Sequence, residues 1–496
     1  MKITKILALA MAVIMIIALV GCGGSKRKPI ALTLSTEDSE AILNAAGIRL
    51  PTAEEAAGAG TTVRWCAHYD VFQNYSEEEM VNTGAWTFIQ KYGGSFSWDE
   101  IEYNSRWDSV AAMIMSGDPP DMFPGETAIF PNYAIKGVFQ PVNQYIDYDD
   151  ALWSGMKDYA YTYFNLGGNI FAAVIDASFG EVVPYNRRVI EEYGYDDPAE
   201  LFANDEWTWD AFLEMCLDFN DPDADRYAVD GWYFGSAIMD SSGTTIVPLN
   251  PDTGEFYSNL DEPGLERAAN VLYELARNEC VYPWYSNGWA CRNASTSGAG
   301  VKEGLCLFWI VGTWGLGNTI TEEEAVWGDM HAEEVMFVPL PRDPLGDGKY
   351  YMPSSPNAYC IINGASNPEG AALVCYCERF KSMDPVVKAI DRKQLKQKLL
   401  WSEEMLDMNE ICYELANSGS PIVSYNDGYG PQLASIVSYE GAFKSNAHGT
   451  SATASQTWAQ LKETHKDRME VFIEELNTRV KDYIARGGTF EEDLTE

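Results

Sequence analysis

After its first 22 residues the chain has no second long apolar run, so the remainder reads as a globular body outside the cell. Positive charge is scarce: 34 Lys+Arg face 74 Asp+Glu, a net charge of −40. Such a surface repels nucleic acid and anionic lipid, which excludes nucleic acid as a partner. Histidine is nearly absent, and the four present (His68, His331, His448, His465) form no cluster. Cys375-Tyr376-Cys377 lacks the two-residue gap and the second ligand pair of a zinc site, so no metal and no cofactor are expected. No Gly-x-Ser-x-Gly segment, His-Glu-x-x-His helix or phosphate-binding loop occurs, and there is no internal repeat. A disulfide framework is not indicated either. Ten cysteines include Cys22, and the other nine cannot all pair. Several, such as Cys306 and Cys360, sit in apolar runs and read as small buried hydrophobes. So many free thiols in an exported chain suggest an oxygen-poor habitat.

What is present begins with an address. Met1 to Lys5 is basic, and Ile6 to Val20 carries no charge. That stretch suits a secretory signal better than a membrane span, the plainer alternative. Leu19-Val20-Gly21-Cys22 resembles a bacterial lipobox. The resemblance implies a signal peptide over residues 1–21, cleavage before Cys22, and lipidation of Cys22 that holds the protein at the outer face of the membrane. Such an anchor suits a Gram-positive cell, with no outer membrane to confine a receptor. Residues 22–60 then read as the lipidated cysteine and a tether, from Gly23-Gly24-Ser25 to Ala56-Ala57-Gly58-Ala59-Gly60, with a helical turn or two over Leu43 to Leu50.

About 475 residues remain, too many for one ordinary core, so two lobes are expected. Thr61 to His68 alternates as a strand does, with Val63, Trp65 and Ala67 on one face. Ser76-Glu77-Glu78-Glu79 is a capping box that opens a helix closed by Gly93-Gly94. A strand over Ser95 to Tyr103 follows, then a helix through Trp107, Val110 and Ile114 that stops at Gly117. Pro119-Pro120-Asp121 forces an extended exit, with Asp121 orienting the turn. Later elements repeat the pattern: a strand over Val182 to Asn186, helices over Arg187 to Tyr193, Trp209 to Phe219 capped by Thr208, and Leu265 to Glu279, and a strand over Leu305 to Val311. Asn367-Pro368-Glu369 starts a helix through Ala371 to Lys381, and a long helix runs from about Gln456 to Arg486. This alternation is an α/β pattern.

Several segments in order resemble the extracellular solute-binding proteins of ABC transporters, in the group that binds sugars and oligosaccharides. Ser116-Gly117-Asp118-Pro119-Pro120-Asp121-Met122-Phe123 matches that family's SGDPPDVF segment, and Gly137 to Val142 matches its G-L-L-x-P-L. Pro184-Tyr185-Asn186 corresponds to the YN strand, and Thr208-Trp209-Asp210-Ala211-Phe212 to TWDEF. Gly304 to Gly317 matches the segment ending G-x-W, and Val338-Pro339-Leu340-Pro341 the PLP crossover. The resemblance implies the two-lobed fold of periplasmic binding proteins, with a hinge and a ligand cleft between lobes. It places lobe 1 at residues 61–180 plus 338–380 and lobe 2 at 181–337 plus 381–496. It also implies a monomeric receptor, not an enzyme, that hands its ligand to permease subunits. The chain departs from the family in its long tether and in the acidic loop Asn220 to Arg226. That loop starts like a calcium loop, yet Arg226 replaces the turn glycine and Trp232 the bidentate acid, so a solvated turn is favoured over calcium.

The residue chemistry points the same way. Sugar rings offer a C–H face to aromatic rings and a rim of hydroxyls to carboxylates and amides. The chain has 15 Trp and 28 Tyr, most of them expected in the core. Trp314 stands apart, in a glycine-rich loop after an apolar strand where the family places a stacking aromatic. Trp232 and Tyr233 are the next candidates. Tyr69 and Asp70 lie past the first strand's carboxyl end, where α/β sheets present ligands. Glu126 and Phe179 complete the set. For Asp70, Glu126 and Phe179, plain surface or packing roles weigh as heavily as binding. The rival functions are an extracellular glycoside hydrolase with two facing carboxyls, and a sensor partner of a membrane kinase.

Overall fold

The computed structural model describes residues 36–73, 75–284, 291–293, 298–317, 326–439, 441–444 and 456–487. The signal segment and Cys22 lie outside the described residues. The chain divides into two compact units, Met1–Phe123 with Asn143–Lys157 and Gly364–Gln394, and Pro124–Val142 with Asp158–Asn363 and Leu395–Glu496.

In the first unit the strand Thr62–Ala67 pairs in parallel with Ser95–Glu100, and Trp65 pairs with Met122. Val63, Trp65 and Ala67 are buried, as alternation required, and Cys66 is buried too. Asp121 is buried and ties three segments together. It accepts from Arg64 N at 2.9 Å, Asn367 N at 2.7 Å and the Ser366 hydroxyl at 3.2 Å. This is the structural role expected of it.

Two expectations change here. The Ser76 capping box forms, but its helix ends after Glu77–Met80. The Thr83 hydroxyl accepts from Trp86 N and starts a second helix, Gly84–Tyr92, which left-handed Gly93 closes. Glu378 accepts from the Gly84 and Ala85 amides at that helix's start, and a Cβ on Gly84 would lie 2.2 Å from the Glu378 amide. The tether also shortens. Thr36–Ala45 is a helix with Ile42 and Leu43 buried, Leu50 and Ala59 are buried, and the Tyr92 hydroxyl donates to Pro51 O. Apolar side chains on an amphipathic turn pack rather than swing free.

Besides two short two-stranded pairs, the second unit holds two larger groups of strands. In one, the strand Met352–Ile362 lies antiparallel to Ala173–Phe179 and to Phe139–Gln140, and parallel to Pro421–Ile422. The other runs in the order Val335–Val338, Glu181–Asn186, Cys306–Gly312, Tyr227–Gly231. The expected division at residues 180 and 338 therefore shifts. Ala173–Phe179 and Met352–Ile362 pair along most of their lengths, so both fall in the second unit.

The helices Arg187–Tyr193 and Trp209–Phe219 start and end where the sequence places them, capped by Asn186 and Thr208. The last helix is Trp458–Ala485, with a Thr457 capping box. Its stripe buries Leu461, Met469, Ile473, Leu476 and Val480, but Ile484 is exposed. Among the described residues nine cysteines are buried and none forms a disulfide. Burial pushes the Cys66 and Cys280 thiols up to about 12, which keeps them protonated and unreactive. Among the described residues no helix is long and apolar enough to cross a membrane.

Candidate functional site

The second unit gathers its candidate residues at one edge of the four-stranded sheet. Cys306–Gly312 is buried along its whole length, which fits its run of apolar residues. It runs parallel to Tyr227–Gly231, with Ile310 opposite Gly231. Their carboxyl ends therefore lie side by side, where parallel strands present ligands. Trp314 emerges from one end and Trp232-Tyr233 from the other. The antiparallel neighbour starts at the same edge, with Glu181 opposite Gly312.

Trp314 is 51% exposed, unusual for a ring of its size. It folds back over Gly312, where a Cβ would lie 2.8 Å from the indole. Only glycine leaves room for the ring in that place. Tyr233 is also exposed and sits at φ +61°, a left-handed backbone conformation uncommon for a residue with a bulky side chain. Its ring centroid is 4.8 Å from that of Tyr439. Trp232 is half-buried, edge to face with Trp284 at 5.6 Å. Trp284 in turn donates its indole N–H to Asp230 at 2.8 Å.

Three residues not singled out in the sequence join this group. Asp230 accepts from Trp284 and from the Gly231 and Arg292 amides, and burial pushes its carboxyl up to about 6 despite those three donors. Glu181 is half-buried, and burial pushes it up to about 7, with Asp240 adding to the rise. Tyr439 is the third, its hydroxyl raised by burial and by Glu181. The available signal for Glu181 was an acid opening an otherwise apolar strand, immediately after Gly180. Tyr439 had none, because it reaches the group from a distant part of the chain.

The remaining candidates lie elsewhere. Phe179 is buried, edge to face with Tyr413 at 5.1 Å. Glu126 follows the strand Met122–Gly125, half-buried, and its carbonyl closes a 3₁₀ turn by accepting from Ile129 N. Tyr69 and Asp70 belong to the first unit. The Tyr69 ring lies against Trp65 and His68, its carbonyl accepts the Trp65 indole N–H at 2.9 Å, and Asp70 accepts from Phe72 N at 3.0 Å. In the acidic loop, Arg226 pairs with Asp221 at 3.3 Å, and Arg292 with left-handed Asp225 at 2.8 Å.

A model of the bacterial extracellular solute-binding proteins matches residues 85–375, more than half of the chain. The chain belongs to that family. Its members are binding proteins that work outside the cell, and the edge bearing Trp314 lies within the matched region. No curated protein sequence matches the chain. Solved structures share the fold at low identity. The cyclic α-maltosyl-1,6-maltose binding protein of Arthrobacter globiformis is 14% identical, with a TM-score of 0.58 over 85% of this chain and 100% of its own. An ABC transporter solute-binding protein of Thermotoga lettingae, bound to α-D-tagatose, is 16% identical, with a TM-score of 0.51 over 85% of this chain and 100% of its own. An ABC substrate-binding protein of Listeria monocytogenes, in complex with cycloalternan, is 15% identical, with a TM-score of 0.52 over 84% and 98%. The solute-binding protein described here has their α/β fold, the two-lobed type of the periplasmic binding proteins.

Proposed function

We infer that this solute-binding protein captures a sugar or oligosaccharide outside the cell and delivers it to the permease subunits of an ABC transporter, held at the membrane by lipid on Cys22. The observation that carries the reading is the half-exposed Trp314 ring, set over Gly312 with Glu181 on the neighbouring strand. A flat ring with a carboxyl at its edge suits a sugar's apolar face and hydroxyl rim. The sugars held by the three similar proteins support the same ligand class. Tyr233 and Trp232 extend the aromatic surface; Tyr69 and Asp70 of the first unit, and Glu126, are the remaining ligand candidates.

Binding is favoured over hydrolysis by the state of Asp240. A glycosidase needs two available carboxyls. Asp240, which raises Glu181, is buried and bonded to Lys444 and Ser424. The receptor acts as a monomer, with neither metal nor cofactor.

Calorimetry against a panel of neutral mono- and oligosaccharides tests this reading. Micromolar or tighter binding of at least one member, without turnover, is expected. Trp314→Ala loses about 2 kcal/mol of that affinity with its melting temperature kept. Silence across the panel, or hydrolysis of a member, overturns the reading.

A further inference from the structure

Glu181 begins its strand opposite Gly312, the residue over which Trp314 folds. Among the described residues, the charged and titratable groups facing its carboxyl are Asp240 at the end of the helix Phe234–Asp240, Lys444 in the 441–444 turn, and Tyr439. The paired strand Cys306–Gly312 contributes Gly312 there and no ionisable group.

Asp240 and Lys444 are already committed to each other. Their side chains are 4% and 2% exposed. The Lys444 Nζ donates to Ser236 Oγ at 3.1 Å and to Asp240 at 3.4 Å, and the Ser424 hydroxyl lies 3.1 Å from both Asp240 oxygens. Glu181 differs. Among the described residues its carboxyl accepts from its own backbone N–H and takes no part in that network. A carboxyl set at a ligand-presenting edge without a committed donor is placed to accept one from outside.

We propose that the Glu181 carboxylate accepts a hydroxyl of the ligand stacked on Trp314, so that the site takes a neutral polyhydroxylated ligand, refuses an anionic one, and weakens as Glu181 takes up a proton. This rests on the receptor reading above. A charge-assisted hydrogen bond to carboxylate is about twice as strong as one to a neutral group, and two lone pairs can serve vicinal hydroxyls. Among the described residues two acids, Glu181 and Asp240, share one cation, Lys444, so a third negative charge is opposed at short range. Burial, reinforced by Asp240 and opposed by Lys444, holds Glu181 near 7, inside the range a cell surface experiences.

The test is calorimetry at pH 6, 7 and 8 with the neutral sugar found in the panel and with its uronic-acid counterpart. In the wild type, affinity for the neutral sugar is expected to fall about tenfold from pH 8 to pH 6, the ratio of ionised fractions for a group titrating near the middle of that range. Glu181→Gln keeps the shape but cannot titrate. It should bind more weakly at pH 8, show a flat profile, and gain affinity for the uronic acid. A flat wild-type profile, or an unchanged slope in Glu181→Gln, overturns the proposal. The wild-type profile needs no variant, so a misfolded variant does not protect the idea. Binding that depends on Trp314 but not on pH overturns the Glu181 role and leaves the receptor reading standing. No binding of any sugar at any pH removes both.

Discussion

The Asp230 carboxylate accepts the Trp284 indole N–H at 2.8 Å, and Trp284 lies edge to face with Trp232. One buried acid thereby fixes the ring that backs a candidate ligand-binding residue. Burial holds its carboxyl near 6, above the ordinary 3.8. The protonated form is therefore favoured by folding. Its stabilising effect is full below the unfolded value and is lost as pH rises through about 6. Unfolding free energies of the wild type relative to Asp230→Asn should fall by about 2 kcal/mol between pH 4 and pH 6. A difference that stays constant with pH removes this account.

Gly312→Ala separates ring placement from fold. The new Cβ would sit 2.8 Å from the Trp314 indole, so the ring must move while the strand stays. We expect sugar affinity to weaken about fivefold or more, with a stability change of about 1 kcal/mol or less. Unaltered affinity would show that the ring's position over Gly312 is irrelevant to binding.

Asp121→Ala strands three donors in the first unit: the amides of Arg64 and Asn367 and the Ser366 hydroxyl. The two amides are half-buried and the Ser366 hydroxyl is exposed to water, so leaving them unpaired costs about 2 kcal/mol. Urea unfolding reads this directly, and a loss under about 1 kcal/mol would contradict the role given to Asp121.

Calcium should leave the melting temperature unchanged. Asp221 and Asp225 are ion-paired with Arg226 and Arg292, so a cation would have to displace two guanidinium groups. Added calcium that raises the melting temperature, or a chelator that lowers it, would reassign the loop.

Local elements were legible because their signals are local. Thr208 and Asn367 cap helices with their own side chains, and Gly93 and Gly117 take left-handed backbone at helix ends. The first capping box was read correctly and its helix was not, since the competing cap at Thr83 lies inside the same apolar pattern. Phe179 looked no different in sequence from an exposed cleft ring. Its burial against Tyr413, from a remote helix, is visible only in the folded chain.

By itself the sequence determined the α/β class, the acidic character of the chain and the prominence of Trp314, Trp232 and Tyr233. The first two follow from periodicity and composition; Trp314 stood out by its glycine-rich setting after an apolar strand together with the family resemblance, and Trp232 and Tyr233 by following the acidic loop. Tertiary structure alone decided where the units divide, that residues 36–60 pack rather than swing, and that Asp240, Lys444 and Tyr439 gather around Glu181, the strand partner of Gly312. Strand register sets which distant residues face one another. Pairing Gly312 with Glu181 is a property of the sheet, and it places a carboxyl that the linear pattern leaves as one acid among 74.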